Sequence, residues 1–165
     1  MTDSPKMPIV NIAEAPLREQ KHGHSFDARY GRVGPMLGLS KIGVSVTVVP
    51  PGKRAFPFHR HHVADEAFFI VSGSGEYRYG EEKWPVKPGD IIAAPAGGEA
   101  HQLINSGSEE LRYLAVSTVG SVDVLEYPDS GKVSMAAGIK NADFKTATYV
   151  GTGHLQKADY WDGED

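Results

Sequence analysis

The chain has 165 residues, of which 40% are hydrophobic and 23% charged, and its formal net charge is −4; this fits one globular domain of ordinary composition. It contains no cysteine, which excludes disulfides, thiolate metal ligands and a cysteine nucleophile. Basic residues are scattered along an acidic chain and no apolar run reaches the length of a membrane span, so nucleic acid and membranes are poor partners.

The N-terminal stretch, residues 1–39, is predicted to be an arm that is ordered where it packs on the rest of the chain. It lacks a basic region followed by an apolar core, so we expect no secretory signal and a cytoplasmic location. His22 and His24 look like metal ligands in isolation. No third partner lies near them in sequence, so the pair is interpreted as part of an exposed loop.

Short strands are predicted through the middle of the chain, some with apolar and polar residues in alternation, as in 44–49 and 76–79, and one, 111–117, apolar on both faces. The clearest segments are residues 44–49, 67–71, 76–79, 91–95 and 111–117. Glycine and proline clusters between them predict turns. Eight to ten such strands with regularly spaced turns are typical of an all-β jelly roll or small barrel. There are no internal repeats, so we expect one domain, and residues 118–165 lose the regular rhythm.

Four side chains in the predicted barrel can converge on one metal ion. His59 and His61 lie two residues apart, so they share a face of an extended strand. Glu66 follows after a predicted turn, and we expect a tight hairpin to return it beside His61. His101 follows a strand and a Pro/Gly turn. Three imidazoles and one carboxylate suit one divalent ion per subunit, and zinc, manganese, iron and nickel stay open.

Three further residues are weaker ligand candidates. His62 points to the face opposite its neighbouring histidines and is expected at the surface or at an interface. Asp65 can replace Glu66 only if the turn is reset by one residue. His154 lies in a glycine-rich tail and is expected to be exposed.

This stretch resembles the two motifs of the cupin family. The first motif, His-x-His, four residues, Glu, six residues, Gly, is matched by His59, His61, Glu66 and Gly73. The second, Gly, five residues, Pro, then His, three residues, Asn, is matched by Gly89, Pro95, His101 and Asn105. Two spacings differ by one residue, between Gly52 and His59 and in the loop after Pro95.

The resemblance implies a cupin double-stranded β-helix, a jelly-roll barrel with N- and C-terminal extensions. Its core is expected at about residues 40–120, with the arm before it and a C-terminal extension at 121–165. The segments after the barrel are also similar to small bacterial cupins that carry a provisional label of sugar-phosphate isomerase. Tyr160 and Trp161 in the last segment are expected to cover a barrel edge, to cap the pocket, or to cross to a second subunit.

Residues that would touch a substrate are suggested by alternation and by the loops. Tyr77 and Tyr79 share one face and are expected to point inward and line the pocket, because burying rings is favourable. Arg78 lies on the other face; if it pointed inward instead, it would suit an anionic ligand. Glu99, in the loop before His101, and Tyr79 are the candidate catalytic groups.

Three functions stay open for a small-molecule ligand in the barrel. The first is isomerisation of a sugar phosphate, with the metal as a Lewis acid. The second is a metal-dependent dioxygenase or lyase, and the third is a non-catalytic binding module. A homodimer is expected, since an unprotected sheet edge invites aggregation and both terminal arms need a surface to pack on.

Overall fold

The computed structural model describes residues 8–140 and 143–164. Within these ranges it contains thirteen strands and one short 3-10 helix, Phe144–Thr146, which confirms the all-β prediction. The strands outnumber the eight to ten expected, because both terminal regions also form strands. No helix in the described ranges is long and apolar enough to cross a membrane.

The largest sheet has six antiparallel strands in the order β1-β2-β3-β10-β5-β8. These are β1 (Arg18–His22), β2 (Phe26–Arg32), β3 (Ile42–Val49), β5 (Glu66–Ser72), β8 (Ile91–Ala94) and β10 (Leu111–Thr118). Side chains alternate across it, so Ile70 and Tyr113 point inward and are buried while Ile91 points outward. The sheet therefore has one core face and one outer face.

Two smaller sheets complete the fold. One has the order β7-β6-β9 and is formed by β6 (Gly75–Tyr79), β7 (Glu82–Val86) and β9 (His101–Ile104). The other has the order β13-β12-β11-β4 and is formed by β4 (Arg60–His61), β11 (Val122–Tyr127), β12 (Lys132–Ala137) and β13 (Tyr149–Gly153). The main hydrophobic core joins the six-stranded sheet to the three-stranded one, because Phe68 and Tyr113 from the first lie in one buried cluster with Tyr77 and Leu103 from the second.

The prediction that the strands of His61 and Glu66 form one hairpin is wrong. Strand β4 pairs with β11, at Leu125 and Glu126, whereas β5 pairs with β8 and β10. The chain between them crosses from one sheet to another. His61 and Glu66 consequently meet across the barrel interior and not as neighbours in one hairpin.

The expectation that residues 118–165 lose the regular rhythm is also wrong for residues 122–137 and 149–153. Strands β11 and β12 form a hairpin with a register that runs from Val122 opposite Ala137 to Tyr127 opposite Lys132. Strand β13 continues the same sheet. The sheets likewise extend before residue 40, because β2 pairs directly with β3.

The final aromatic pair is largely exposed in the part of the single chain that the structure describes. Tyr160 and Trp161 are 83% and 71% exposed and contact each other edge to face, with ring centroids 4.7 Å apart. The expectations that they cover a barrel edge or cap the pocket are therefore wrong for the single chain. Their crossing to a second subunit stays a prediction.

Candidate metal centre

The candidate ligands come from the ends of short strands that face the barrel interior. His59 precedes β4 and is bridged to His101, at the start of β9, by two backbone hydrogen bonds: His59 N–H donates to the His101 carbonyl at 3.2 Å, and His101 N–H to the His59 carbonyl at 2.7 Å. His61 ends β4, and Glu66 begins β5. Three separate β segments therefore deliver the four side chains to one place.

Three of the four side chains form a group that can hold a metal ion, and the fourth contacts Glu66. One ligand atom each from His59, His61 and Glu66 can be chosen so that all three atoms lie within 4.8 Å of one another. Glu66 Oε2 lies 3.4 Å from His61 Nε2 and 3.1 Å from His101 Nε2. The His59, His61 and Glu66 group can hold a metal ion, and His101 adjoins it.

Hydrogen bonds at Nδ1 orient two of the three imidazoles. His59 Nδ1 lies 2.8 Å from the Pro57 carbonyl, and His61 Nδ1 lies 2.7 Å from Asp123 Oδ2. A carbonyl or carboxylate acceptor at Nδ1 places the proton there, which leaves Nε2 to bind a cation. Asp123 is buried, so this partner belongs to the interior of the site.

Burial and mutual contacts shift the pKa values of these groups. Burial, with the neighbouring charge of His101, lowers the pKa of His59 to about 4. Burial also lowers the pKa of His61, but hydrogen bonds with Asp123 and Glu66 outweigh it and raise that pKa to about 9. Burial raises the pKa of Glu66, yet the hydrogen bonds from His101 and His61 hold it well below its usual range. Glu66 is thus a carboxylate, and a cation that binds His61 Nε2 displaces a proton.

Two cavities meet at the centre. The first, called the apolar cavity here, has a volume of about 220 Å³ and is lined in part by Phe56, Phe68, Leu103 and Leu125. The second, called the arginine cavity, has a volume of about 160 Å³ and is lined in part by Arg32, Ser117 and Asp123. Tyr30, Ser45, His61, Glu66 and Ala115 line both cavities. The candidate ligands therefore lie where a small molecule has space on two sides.

The two predicted pocket tyrosines point inward, as alternation indicates, but they line neither cavity. Tyr77 is buried in the core, and its hydroxyl donates to the Ala93 carbonyl at 2.9 Å. Tyr79 packs against the same core and its hydroxyl accepts a hydrogen bond from the Glu99 backbone at 3.3 Å. Glu99 itself is exposed and contacts the region of Gly80. The structure does not bring Glu99, Tyr77 or Tyr79 to the cavity walls.

Arg78 lies on the opposite face of its strand. Its guanidinium makes two hydrogen bonds to Asp129, at 2.9 and 3.1 Å, and lies 3.5 Å from the centre of the Phe58 ring. These contacts connect β6 to the β11–β12 turn. Arg78 does not line either cavity.

The remaining histidines stand apart from the centre. His62 Nε2 lies 3.5 Å from Glu126 Oε1 near the surface, and His22, His24 and His154 are exposed. Asp65 accepts a hydrogen bond from the Ala96 backbone at 2.9 Å and is exposed.

The sequence analysis missed Asp123 and Tyr30. Asp123 lies between Val122 and Val124, in a stretch that alternates between apolar and polar residues but falls within the extension predicted to be irregular. Tyr30 lies in β2, in a region interpreted as an arm. Alternation of apolar and polar residues could have predicted both strands. Alternation does not indicate which strands border the site.

Comparisons with known proteins agree with this fold. Residues 45–117 match the family model described as the cupin domain. Over 68 residues the chain is 32% identical to the oxalate-binding protein of Thermotoga maritima, a match that covers 41% of this chain and 54% of that protein. It is 26% identical to auxin-binding protein 1 of Arabidopsis thaliana over 145 residues, or 81% of this chain and 71% of that protein. The chain thus spans only about half of the first relative.

Two solved structures resemble nearly the whole chain. A protein of Acidithiobacillus ferrooxidans, described as a candidate sugar phosphate isomerase, superposes with a TM-score of 0.77 at 22% identity, over 95% of this chain and 99% of that one. A sugar phosphate isomerase of the cupin superfamily from Silicibacter pomeroyi has a TM-score of 0.74 at 21% identity, over 89% and 92%. At these identities the likeness shows the fold alone, which is the predicted cupin double-stranded β-helix.

Proposed function

We propose that this protein, in which residues 45–117 form a cupin domain, is a metal-dependent isomerase of a small hydroxy-carbonyl compound, with sugar phosphates as the substrate class. The observation that carries the proposal is the convergence of His59, His61, Glu66 and His101 between two cavities. The names of the two similar solved structures support the substrate class.

The donor set fits one divalent cation. Three imidazoles and a carboxylate are borderline to hard ligands of the kind that zinc, manganese, iron and nickel accept. The partners of His59 and His61 at Nδ1 support ligation through Nε2. A divalent cation held there supplies Lewis-acid stabilisation of negative charge that develops on substrate oxygens.

Tyr30 is the side chain that we assign to proton handling at the substrate. Its side chain lines both cavities, and burial, which outweighs the opposing effects of Arg32 and Ser45, raises its pKa. The phenol is therefore protonated at neutral pH and can donate a hydrogen bond or a proton to a substrate oxygen. The positions of Glu99 and Tyr79 give no support to the catalytic roles that the sequence suggested for them.

The apolar side chains that line the apolar cavity would exclude water from the bound substrate. Phe56, Phe68 and Leu103 line this cavity, and dry walls strengthen each electrostatic interaction inside. A compact carbon chain that packs there would carry its oxygens towards the histidines.

Two measurements test the proposed function: the metal content of the protein and its turnover of sugar phosphates. Protein purified without an affinity tag is expected to carry one divalent metal per subunit by elemental analysis, and the His61→Ala/His101→Ala variant is expected to lose it. His62→Ala is the matched control, because this neighbouring histidine contacts Glu126 and not the centre. Interconversion of aldose and ketose phosphates, followed by NMR, should require the metal and stop after chelation. Equal metal content in the wild type and the double variant would overturn the assignment.

A second candidate function is non-catalytic binding of a small carboxylic acid. Two of the similar curated proteins are named as binding proteins, for oxalate and for auxin. The same metal and cavities would serve such binding. Metal-dependent binding of oxalate, measured by calorimetry, with no turnover of any sugar phosphate would favour this candidate over the isomerase.

We also propose that the protein is a homodimer through the outer face of its six-stranded sheet. Ile91 lies opposite Phe69, and Phe69 opposite Leu114, in one cross-strand row. Ile91 and Phe69 are 78% and 41% exposed, and β8 is an edge strand of the sheet. Exposed apolar rows beside an unpaired edge are typical of surfaces that a second copy covers.

A further inference from the structure

The chain that leads into His59, residues 55–58, has no strand pairing of its own and is called the ligand segment here. The residue before it, Arg54, is bridged to strands β2 and β9, and His59 after it is bridged to His101. Within the part of the chain that the structure describes, no backbone–backbone hydrogen bond reaches residues 55–58. Because buried backbone groups need partners, side chains must hold this segment in place.

Gln102 holds the middle of the ligand segment. Its Nε2 donates a hydrogen bond to the Phe56 carbonyl at 2.7 Å, and the residue is only 4% exposed. Arg78 lies directly opposite Gln102 in the pairing of β6 with β9, so the two side chains share a face. The contact of Arg78 with the Phe58 ring holds the next part of the segment from that same face.

The other polar atom of Gln102 indicates what the side chain contributes. Its Oε1 is buried and has no hydrogen-bond partner among the described residues. An unpaired buried oxygen is costly, and an apolar side chain of similar size would fill the same space without that cost. The one contribution that an apolar residue could not make is the hydrogen bond to Phe56.

The ligand segment in turn contacts two side chains of the metal centre. The Pro57 carbonyl accepts the hydrogen bond from His59 Nδ1 at 2.8 Å. The Phe56 ring meets the Tyr30 ring edge to face, with centroids 5.5 Å apart. The backbone that Gln102 holds therefore carries both the acceptor that orients His59 and a ring that packs against Tyr30.

We propose that Gln102 is a positioning residue for the metal ligand His59. By holding the Phe56 carbonyl, it keeps the next carbonyl, that of Pro57, at His59 Nδ1, so that Nε2 of His59 is left for the cation. Gln102 acts through the backbone and needs no contact with the cation. This inference rests on the proposed metal-dependent function and adds a residue that prepares its site.

Gln102→Met tests the proposal, because methionine has a similar length and cannot donate the hydrogen bond. In the metal-free protein, NMR of ¹⁵N-labelled imidazoles should show the His59 proton on Nδ1 in the wild type and on both nitrogens in the variant. His59→Gln identifies the His59 signals by their loss. The affinity for zinc, measured by competition with a chelator, should fall about tenfold or more, as when a metal ligand loses its outer partner.

Gln20→Met is the matched control. Gln20 also donates its side-chain amide to a carbonyl of the ligand segment, that of Ala55, at 3.0 Å. The neighbouring Arg54 is already fixed by backbone bridges, so this variant should keep the wild-type tautomer of His59 and the wild-type zinc affinity. Circular dichroism and urea unfolding establish that both variants are folded.

Two results would overturn the positioning role. One is a Gln102→Met variant that keeps a single His59 tautomer and the zinc affinity of the wild type. The other is an equal loss in Gln20→Met and Gln102→Met, since any anchor of the ligand segment would then have the same effect as Gln102.

The tautomer measurement needs no metal, which separates this inference from the proposed function. A wild type that binds no zinc, but whose His59 tautomer depends on Gln102, would contradict the metal-dependent isomerase and retain the positioning of His59. A wild type that binds zinc with an affinity independent of Gln102 would retain the metal centre and contradict the positioning role.

Discussion

Two of the three imidazoles of the metal centre, those of His59 and His61, depend on a second group for their orientation. His59 uses the carbonyl of Pro57, two residues away in sequence, whereas His61 uses Asp123, which lies 62 residues away. The carboxylate of Asp123 also sets the protonation of the ring, since its hydrogen bond is the largest influence that raises the pKa of His61. Loss of either partner would leave the ring free to rotate away from the cation.

Asp123→Ala is expected to weaken metal binding about 10- to 100-fold, the usual cost of losing a residue that orients a metal ligand. The physical reason is that His61 loses both its fixed rotamer and the acceptor at Nδ1. Competition with a chelator of known affinity measures the effect. Asp129→Ala is the control, because Asp129 pairs with Arg78 outside the cavities. Equal metal affinities in the two variants would refute the role of Asp123.

The β11–β12 hairpin is the element that closes the site. Its residue Glu126 pairs with Arg60 on β4, and Tyr127 stacks near His59 with ring centroids 6.1 Å apart. The turn that follows is held by Arg78. The hairpin thus forms one wall of the centre and carries Asp123 in it.

Gly73, in the turn after β5, packs closely against the start of strand β10. Gly73 has a φ of 78°, and a Cβ at this position would collide with the Glu110 carbonyl and lie 2.8 Å from Leu111 Cα. Gly52 has a similar φ of 73° but open space around it. Gly52 and Gly73 therefore share a left-handed backbone conformation and differ in how closely neighbouring atoms surround the position of a Cβ.

Gly52→Ala is therefore expected to lower the free energy of unfolding by about 1–2 kcal/mol, the left-handed penalty for a residue with a Cβ. Gly73→Ala is expected to lower it by a further 1–3 kcal/mol or so, since backbone atoms must move. Urea unfolding of the two variants measures the difference. Equal destabilisation would show that the contact at Glu110 relaxes without cost.

At the scale of the whole molecule, the barrel has two cavities inside and an outer sheet face with an apolar row. Strands β3 and β10, in the middle of the six-stranded sheet, make the longest pairing among the described strands, from Leu111 opposite Val49 to Thr118 opposite Ile42. On the outer face beyond them, Phe69 and Ile91 are exposed. A second copy that covers this face would remove the largest apolar side chains there from water.

Analytical ultracentrifugation at micromolar concentration is expected to give a dimer. Phe69→Glu/Ile91→Glu should weaken dimerisation by about tenfold or more, because it buries unpaired charge at the interface. Val150→Glu, on the exposed strand β13, is the matched control and should leave the dimer intact. A wild type that sediments as a monomer would count against this surface, as would a double variant that remains as dimeric as the control.

The sequence alone determined the local features of the site and the fold class. His59 and His61 share a face because side chains two apart in a strand always do, and the same alternation placed Tyr77 and Tyr79 inward and Arg78 outward. The turn residues and short apolar segments specified an all-β barrel. Each of these properties depends on a few consecutive residues.

The tertiary structure decided which strands became neighbours. Local alternation is the same whether β4 pairs with β5 or with β11, so the sequence did not distinguish a hairpin from a crossing between sheets. For the same reason Tyr30, Arg32 and Asp123 were not recognised as cavity residues, and Glu99 was placed near the site when it is exposed. Contacts between residues far apart in sequence follow from the burial of all the strands together, because the free energy of packing belongs to the assembled core and not to any one segment.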